Sequence, residues 1–355
     1  MHMADALVSP AVAGTMYAAS AAAAAYSVKK VRMDDLYKKV PMMGVMGAFV
    51  FASQMINFTI PGTGSSGHLC GGMLLSAVLG PYAGFLTMIA ILAVQCLMFA
   101  DGGLLALGCN VWNMAFYGCF AGGLLIWRAL TGRKITKRRI TAASVIGCMV
   151  GLQLGAFSVT VETLLSGITE LPFAVFLGMM QPIHLAIGLV EGLITAAVLV
   201  FVYEARPEML CCRGAGESVQ QDKQEAEKSG PAGRMSRKGT IAVLAVLTLL
   251  IGGMVSLFAS GNPDGLEWSM EKVAGTSELA AEGGIYRLTE RIQEITAFLP
   301  DYAFQSSEGA AGTSFSGIAG GAAVLAVCLG ICVAIKKIRR FGQTAERKNT
   351  DKGMR

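Results

Sequence analysis

Residues 173–203, FAVFLGMMQPIHLAIGLVEGLITAAVLVFVY, decide the class of fold. Glu191 is the only Asp, Glu, Lys or Arg in this stretch, which exceeds the roughly 20 apolar residues that a helix needs to cross a bilayer. Of all 355 residues, 54% are hydrophobic and 15% are charged, whereas soluble domains carry about 25% charged residues. We therefore predict an all-α polytopic protein of the lipid bilayer. Whole-chain disorder, nucleic-acid binding and a disulfide scaffold are excluded.

Nine apolar stretches are candidate membrane spans. The third is short, so we expect it to be tilted, broken or re-entrant, and the seventh is longer than a bilayer needs. The nine stretches are 10–28, 40–59, 69–82, 84–100, 104–128, 140–160, 173–203, 239–259 and 315–335.

The basic residues follow four of these spans. All but three of the 29 Lys and Arg lie in the segments 29–39, 128–139, 206–238 and 336–355. With nine spans, these four segments share one side of the membrane, which the positive-inside rule makes cytoplasmic. We therefore expect a multi-pass protein of the cell membrane with an extracytoplasmic N-terminus and a cytoplasmic C-terminus.

The spans divide the chain into parts. Residues 1–204 form a seven-span membrane domain, and 205–238 form a polar cytoplasmic linker. Residues 239–340 form a two-span hairpin, followed by a cytoplasmic tail at 341–355. Within the hairpin, the loop 260–314 is rich in acidic residues. It is either a solvated acidic loop or a weak collector of external cations.

Two of the three histidines, His2 and His68, map to the outer side, whereas His184 lies within a span. The amine of Met1, the amide nitrogen of His2 and its imidazole can chelate a metal in consecutive small rings, and His68 can supply a fourth nitrogen. Four nitrogens in a plane suit Cu(II) or Ni(II), and Co(II) less well. Alternatively, His2 is incidental and His68 serves loop hydrogen bonding. No basic residue precedes the first apolar run, so we expect no cleaved signal peptide.

Several segments resemble one family. The opening MHMADALVSP, the segment GSSGHLCGGMLLSAVLGPYAGFLTMIAILAVQCLMFADGGLLALGCNVWNMAF at 64–116 and PIHLAIGLVEGLITA at 182–196 resemble the NikM/CbiM family. This family comprises the substrate-capture (S) components of energy-coupling-factor (ECF) nickel and cobalt transporters. The segment NPDGLEWS at 262–269 resembles the PDGLE element of the NikN-like accessory subunit, which is fused here to the C-terminal part.

The resemblance implies the site and the partners. It places the metal on Met1, His2 and His68, with Ni(II) or Co(II) as transported cargo and no permanently bound cofactor. The partners it implies are a transmembrane coupling (T) subunit and cytoplasmic ATPase subunits. This chain has no GxxxxGK[ST] motif of its own and is expected to be no enzyme. Cys70 departs from the family pattern, which has an aliphatic residue there, so a sulfur contact competes with simple core packing.

Further polar residues are candidates for supporting the site. His184 and Glu191 lie seven residues apart on one helix face, and we expect them to lock helices or to support the metal ligands. The same alternatives hold for Asn110 and Asn113. Asp101 is predicted mainly to cap the following helix.

Small residues form a stripe in the second span. Gly44, Ala48 and Ala52 recur every four residues, a spacing that lets helices approach closely. The stripe is either a docking face for the coupling subunit or internal packing.

Two other classes of function compete with metal capture. A stand-alone divalent-metal channel or secondary transporter would be expected to have a continuous polar path, but charge within the spans is sparse. A membrane metalloenzyme would need an open metal position, which four protein nitrogens do not leave. The NPDGLEWS element favours nickel over cobalt.

Overall fold

The computed structural model describes residues 1–31, 33–132, 134–211, 236–277, 279–304 and 310–353. Most of the linker predicted at 205–238 therefore lies outside the described residues. Helices dominate these ranges: α1 Pro10–Lys30, α2 Met33–Gln54, α3 Gly72–Leu79, α4 Pro81–Phe99, α5 Leu107–Thr131, α6 Lys137–Ser166, α7 Phe173–Ala205, α8 Arg237–Gly253, α9 Gly265–Ala274, α10 Gly284–Thr296 and α11 Ala310–Gly353.

Two short strands and several tight turns connect the helices. Strands β1 Phe58–Ile60 and β2 Ser65–Gly67 pair antiparallel, with Phe58 opposite Gly67. From Val111 to Trp127, α5 is wound as a wider π-helix. Single 3₁₀ turns lie at Asp5–Leu7, Pro207–Met209, Val255–Phe258 and Pro300–Tyr302.

The predicted all-α membrane fold is confirmed. Each of the nine predicted spans overlaps a helix, and five helices of the described ranges are long and apolar enough to cross a membrane. The third predicted span, 69–82, is short, as expected. Helix α3 has only eight residues, about 12 Å of length, and all eight are buried. The stretch is thus a short helix buried within the bundle and entered from the non-helical residues 68–71.

Glycines let the helices of the N-terminal bundle, α1–α7, approach closely. A Cβ atom at Gly72 of α3 would lie 3.0 Å from the Cα of Gly118 in α5. On α7, a Cβ at Gly192 would lie 2.5 Å from the Cα of Val145 in α6. Backbones in such contact leave no room for side chains. These crossings therefore fix the positions of the helices and of the loops that connect them.

Helices α8–α11 and their connecting loops form a C-terminal module that packs against α2. A Cβ at Gly44 would lie 3.1 Å from Leu325 of α11, and one at Gly321 would lie 3.6 Å from the Cβ of Ala48. Ala48 and Ala52 are buried. Two residues of the stripe, Gly44 and Ala48, are therefore packed against the chain's own α11, which favours internal packing over a docking face.

The loop before α9 attaches the C-terminal module to the β1–β2 hairpin. The amide of Ser260 donates to the carbonyl of Asn57 at 2.7 Å, and the amide of Ser66 donates to the carbonyl of Pro263 at 2.8 Å. Asp264 follows directly and caps α9, where its carboxylate accepts from the amides of Leu266 and Glu267. These contacts place Asp264 beside the loop that carries His68.

Candidate metal centre

The Met1 amine meets His68 and Asp264 at one point. The amine nitrogen lies 3.1 Å from His68 Nε2 and donates to the Asp264 carboxylate. An oxygen of that carboxylate also lies 3.9 Å from His68 Nε2. Three segments that are far apart in the sequence therefore meet in one polar cluster, and Met1 itself is only 6% exposed.

Main-chain and amide hydrogen bonds hold the first three residues. The amide of Met3 donates to Asn110 Oδ1 at 2.7 Å, and Asn110 Nδ2 donates back to the Met3 carbonyl at 3.1 Å. The same carbonyl accepts from the amide of Gly103. Gly102 has φ of +80°, and a Cβ there would lie 2.8 Å from Asn110 Nδ2 and 3.2 Å from the Cβ of His2. Asn110 thus holds the first residues of the chain in place. The absence of a side chain at Gly102 leaves room for Asn110 and His2.

The ring of His2 lies against oxygen atoms. Its Nδ1 is 3.1 Å from Asp101 Oδ1, and its Nε2 is 3.3 Å from Gln95 Oε1. The ring stacks on that of His68 with centroids 5.3 Å apart. The prediction that Asp101 caps a helix needs correction, because α5 begins beyond it with Ala106 at the N-cap. Asp101 instead accepts a hydrogen bond from Tyr302 and contacts His2.

The electrostatics keep both imidazoles neutral. Burial is the main cause that lowers the pKa of His68, to about 3, with the nearby N-terminal amine adding to it. Burial also lowers the pKa of His2, against the raising effect of Asp101. At Asp264 burial alone would raise the pKa, but the N-terminal amine holds it well below its usual range. Neutral imidazoles are the form that binds metals. Because His68 Nδ1 lies 3.1 Å from the carbonyl of Leu69, its Nε2 is left for the site.

The inner side of the centre is a small cavity. It has a volume of about 20 Å³ and is lined by Met1, His68, Cys70, His184 and Asp264, among others. His184 Nδ1 lies 2.8 Å from the carbonyl of Met180, whereas its Nε2 has no hydrogen-bond partner among the described residues. The thiol of Cys70 donates to the carbonyl of Met114. This favours core packing over a sulfur contact to the metal.

Glu191 and Asn113 line a second small cavity, which shares Met1 and Cys70 with the first. Glu191 Oε1 accepts from the amide of Gly71 at 2.9 Å, which ties α7 to the loop that carries His68. Asn113 Nδ2 donates to Glu162 Oε2 at 2.7 Å. Neither side chain is hydrogen-bonded to the Met1 amine or to the imidazoles of His2 and His68. Both instead hold neighbouring segments of the bundle in place.

The outer side opens into a large acidic cavity. It encloses about 1480 Å³, and His2 and His68 lie on its wall. The acidic residues that line it come from both parts of the chain and would attract cations. They are Asp5, Asp101, Asp264, Glu267, Glu290, Glu294 and Asp301.

Sequence reasoning missed three residues of the centre: Asp264, Gln95 and Tyr302. Asp264 belongs to the NPDGLEWS element, so its motif was visible although its contact with Met1 was not. Gln95, a fully buried amide within an apolar span, was also a usable signal. Nothing in the sequence around Tyr302 indicates its bond to Asp101. Within the described residues, no group of three or more His, Cys, Asp or Glu side chains could hold a metal, so a metal here depends on the main-chain nitrogens.

Fold and site together define a polytopic helical membrane protein with a nitrogen-rich cluster at its N-terminus and an acidic cavity above that cluster. The sequence model of the cobalt uptake substrate-specific transmembrane region, CbiM, matches residues 2–209, and that of the PDGLE domain matches residues 238–337. The chain belongs to the CbiM family and carries a PDGLE domain after the CbiM region, which confirms the resemblance.

Known relatives are transport proteins. A putative fused nickel transport protein NikMN of Archaeoglobus fulgidus is 35% identical over 328 residues, which cover 92% of this chain and 96% of that protein. The cobalt transport protein CbiM of Geobacter sulfurreducens is 28% identical and covers 80% of this chain and 79% of its own length. A crystal structure of a truncated transition metal transporter superposes with a TM-score of 0.51 at 32% identity, over 57% of this chain and 99% of that one. The chain is thus a membrane transport protein of a family named for nickel and cobalt.

Proposed function

We propose that this chain captures Ni(II), with Co(II) as the second candidate cargo, at the extracytoplasmic face of the membrane. The ligands are the amine of Met1, the amide and imidazole nitrogens of His2, and the imidazole of His68. The observation that carries this proposal is the 3.1 Å separation of the Met1 amine and His68 Nε2. Two nitrogens bound at right angles to one metal, each at about 2.0–2.1 Å, lie about 2.9 Å apart.

The chemistry of this donor set favours nickel. A deprotonated amide between an amine and an imidazole gives two fused chelate rings, and a fourth nitrogen completes a plane. Square-planar nitrogen coordination is typical of Ni(II) and Cu(II). The amine and the amide must lose protons to bind, so capture should weaken in acid.

The C-terminal module, residues 239–340 of our division, is proposed to assist loading. Its Asp264 places a carboxylate on the Met1 amine, and its acids line the cavity through which a cation would arrive. The orientation that places this cavity outside rests on the four basic segments and the positive-inside rule.

The energy for transport is proposed to come from other proteins. Because the chain has no GxxxxGK[ST] motif, we infer that it works as the S component of an ECF complex with a T subunit and cytoplasmic ATPases. Uptake of Ni(II) into vesicles should require those subunits and ATP. Uptake by the chain alone would instead support a stand-alone channel or secondary transporter.

Metal binding by the purified full chain tests the ligand set. We expect wild type to give the yellow visible band of square-planar Ni(II). His2→Ala, His68→Ala and one residue inserted before Met1 should each abolish it, because each removes or displaces a donor nitrogen. The matched control adds the same residue after Arg355, and thermal unfolding of every variant checks the fold. Tight binding with an unchanged band in the N-terminal insertion variant would remove Met1 and His2 from the site.

A further inference from the structure

The ring of His2 is not available to a metal in this structure. An imidazole nitrogen has one direction in the ring plane, which it uses for a proton, a hydrogen bond or a metal. Nδ1 is directed at Asp101 Oδ1, at 3.1 Å, and Nε2 at Gln95 Oε1, at 3.3 Å. Met1 and His68 already lie at the spacing of neighbouring ligands. The Met1 amine and His68 face each other, whereas the ring of His2 faces Asp101 and Gln95, so His2 is the proposed ligand whose ring has to turn.

Both oxygens that engage His2 are themselves held. Tyr302 donates its hydroxyl proton to the other oxygen of Asp101. The ring of Tyr302 stacks on Phe99 with centroids 4.6 Å apart. On the other side, Gln95 Nε2 donates to Gln54 Oε1 at 2.9 Å, and Gln54 Nε2 donates to the carbonyl of Cys70 at 2.8 Å.

The backbone at Tyr302 is strained. Asp301 and Tyr302 have φ of +50° and +60°, the left-handed region that non-glycine residues rarely adopt. Such strain persists only where the surroundings over-determine it, and it concentrates at functional sites. Here it brings the hydroxyl of a C-terminal-module residue onto Asp101, inside the N-terminal bundle.

The two cavities differ in which histidine they reach: His68 lines both, whereas His2 lines only the outer one. His2 lines the large acidic cavity, together with Asp101 and Tyr302. It does not line the small inner cavity, which is bounded by Met1 and His68. A cation that arrives through the acidic cavity therefore meets the ring of His2 on the cavity wall.

We propose that His2 is a latched ligand: Asp101, held by Tyr302, accepts the proton of Nδ1 and keeps the ring in an open position, and capture is completed when the ring leaves Asp101 and turns to the metal. This inference rests on the proposed function. It makes Tyr302 a positioning residue that acts on the metal site through Asp101. The C-terminal module would thus set how readily the site closes.

Nitrogen NMR and binding kinetics on the full chain test the latch. With only three histidines, a sample labelled with ¹⁵N-histidine gives a spectrum that is simple to assign. Tyr302→Phe keeps the aromatic stack and the charge of Asp101 but removes the hydroxyl that fixes the carboxylate. Asp101→Asn weakens the contact with His2 directly, and high salt suppresses the effect of its lost charge. The matched control is Tyr286→Phe, which removes a hydroxyl that donates to the carbonyl of Val8, away from Asp101.

We expect the metal-free ¹⁵N signals of His2 to shift in both latch variants and to stay unchanged in Tyr286→Phe. Nickel association, followed by the visible band, should become about three- to tenfold faster in both, as expected for the loss of one hydrogen bond. Unshifted His2 signals, or association that is unchanged or slower in both variants, would overturn the latch. A wild-type chain that binds no nickel would overturn the proposed function as well, so the two failures are distinguishable.

Discussion

The two parts of the molecule are built differently. In the N-terminal bundle, 72% of the apolar window of α4 is buried, whereas the corresponding window of α11 in the C-terminal module is only 33% buried. Crossings where glycine backbones nearly touch occur in both parts, between Gly72 and Gly118 in the bundle and between Gly252 of α8 and Gly317 of α11 in the module. The two parts therefore differ in how much of their helices is buried.

The polar contacts of the C-terminal module are concentrated near the metal centre. The side-chain amide of Gln293 donates to the carbonyls of Cys96 and Gly102, and its oxygen accepts from the amide of Leu104. These contacts hold the turn that carries Asp101. Together with Asp264 and Tyr302, they show that a module whose long helix is little buried is bonded to the part of the bundle that carries the proposed ligands.

The largest effect should come from removing the module. Deletion of residues 239–355 should abolish Ni(II) uptake in cells that contain the partner subunits, while the remaining bundle stays folded. Loss of α11 exposes the stripe at Gly44 and Ala48 to lipid, which is itself apolar and tolerates it. Uptake and thermal unfolding of the truncated chain in detergent measure the two expectations separately.

A solved relative supports the second expectation. The truncated transition metal transporter aligns with only 57% of this chain, over 99% of its own length. Normal uptake after the deletion would show that the module is dispensable for transport. A bundle that no longer folds would show that the two parts do not differ in what they contribute to stability.

A smaller loss of stability is expected from a glycine substitution inside the bundle. Gly72→Ala would place a Cβ 3.0 Å from the Cα of Gly118 and 3.2 Å from the carbonyl oxygen of Met114. Overpacking of this kind costs about 2 kcal/mol, so the variant should unfold at lower temperature. Gly178→Ala in α7 is the matched control, since a Cβ there meets nothing within 4 Å. Equal stability of the two variants would contradict the tight crossing of α3 and α5.

Much of this organisation was predictable from the sequence. The apolar runs predict the helices, because length and hydrophobicity alone decide whether a segment is stable in a bilayer. The resemblance places Met1, His2 and His68 in one site, and the structure brings these three residues together.

The rest depends on contacts between distant parts of the chain. Asp264 contacts an amine 263 positions away, and no local pattern records such a pairing. The stripe at Gly44 has the spacing of any close helix contact, and only the fold shows that α11 covers it. Asp101 precedes a helix in the sequence, yet the helix begins too late for its side chain to act as the cap.

Asp264→Asn should weaken nickel binding about tenfold. Its carboxylate lies beside the proposed ligands and on the wall of the acidic cavity, so its negative charge favours the entry of a divalent cation. Asparagine is as good an N-cap as aspartate, so α9 should stay intact. Isothermal titration of the purified chain gives the affinity.

The control for this charge change is Glu294→Gln. Glu294 is an exposed acid that lines the same cavity, and its loss should change nickel affinity less than about twofold, because exposed charges are screened by solvent and salt. Tighter nickel binding by the Asp264→Asn protein would contradict the proposed attraction. It would show that Asp264 competes with the metal for the Met1 amine.

The smallest effect is expected on the thinly packed helix of the C-terminal module. Gly330 of α11 is exposed, and a Cβ added there would meet nothing within 4 Å. Because glycine destabilises a helix interior by roughly 0.5–1 kcal/mol relative to alanine, Gly330→Ala should raise the unfolding temperature slightly and leave nickel binding and uptake unchanged. A substitution of one methyl group is thus expected to act in opposite directions in the two parts, since it meets backbone at Gly72 and open space at Gly330. If Gly330→Ala instead lowered the unfolding temperature, α11 would have to contact more than the described residues show. Reduced uptake by this variant with partner subunits present would then identify that contact as an interface.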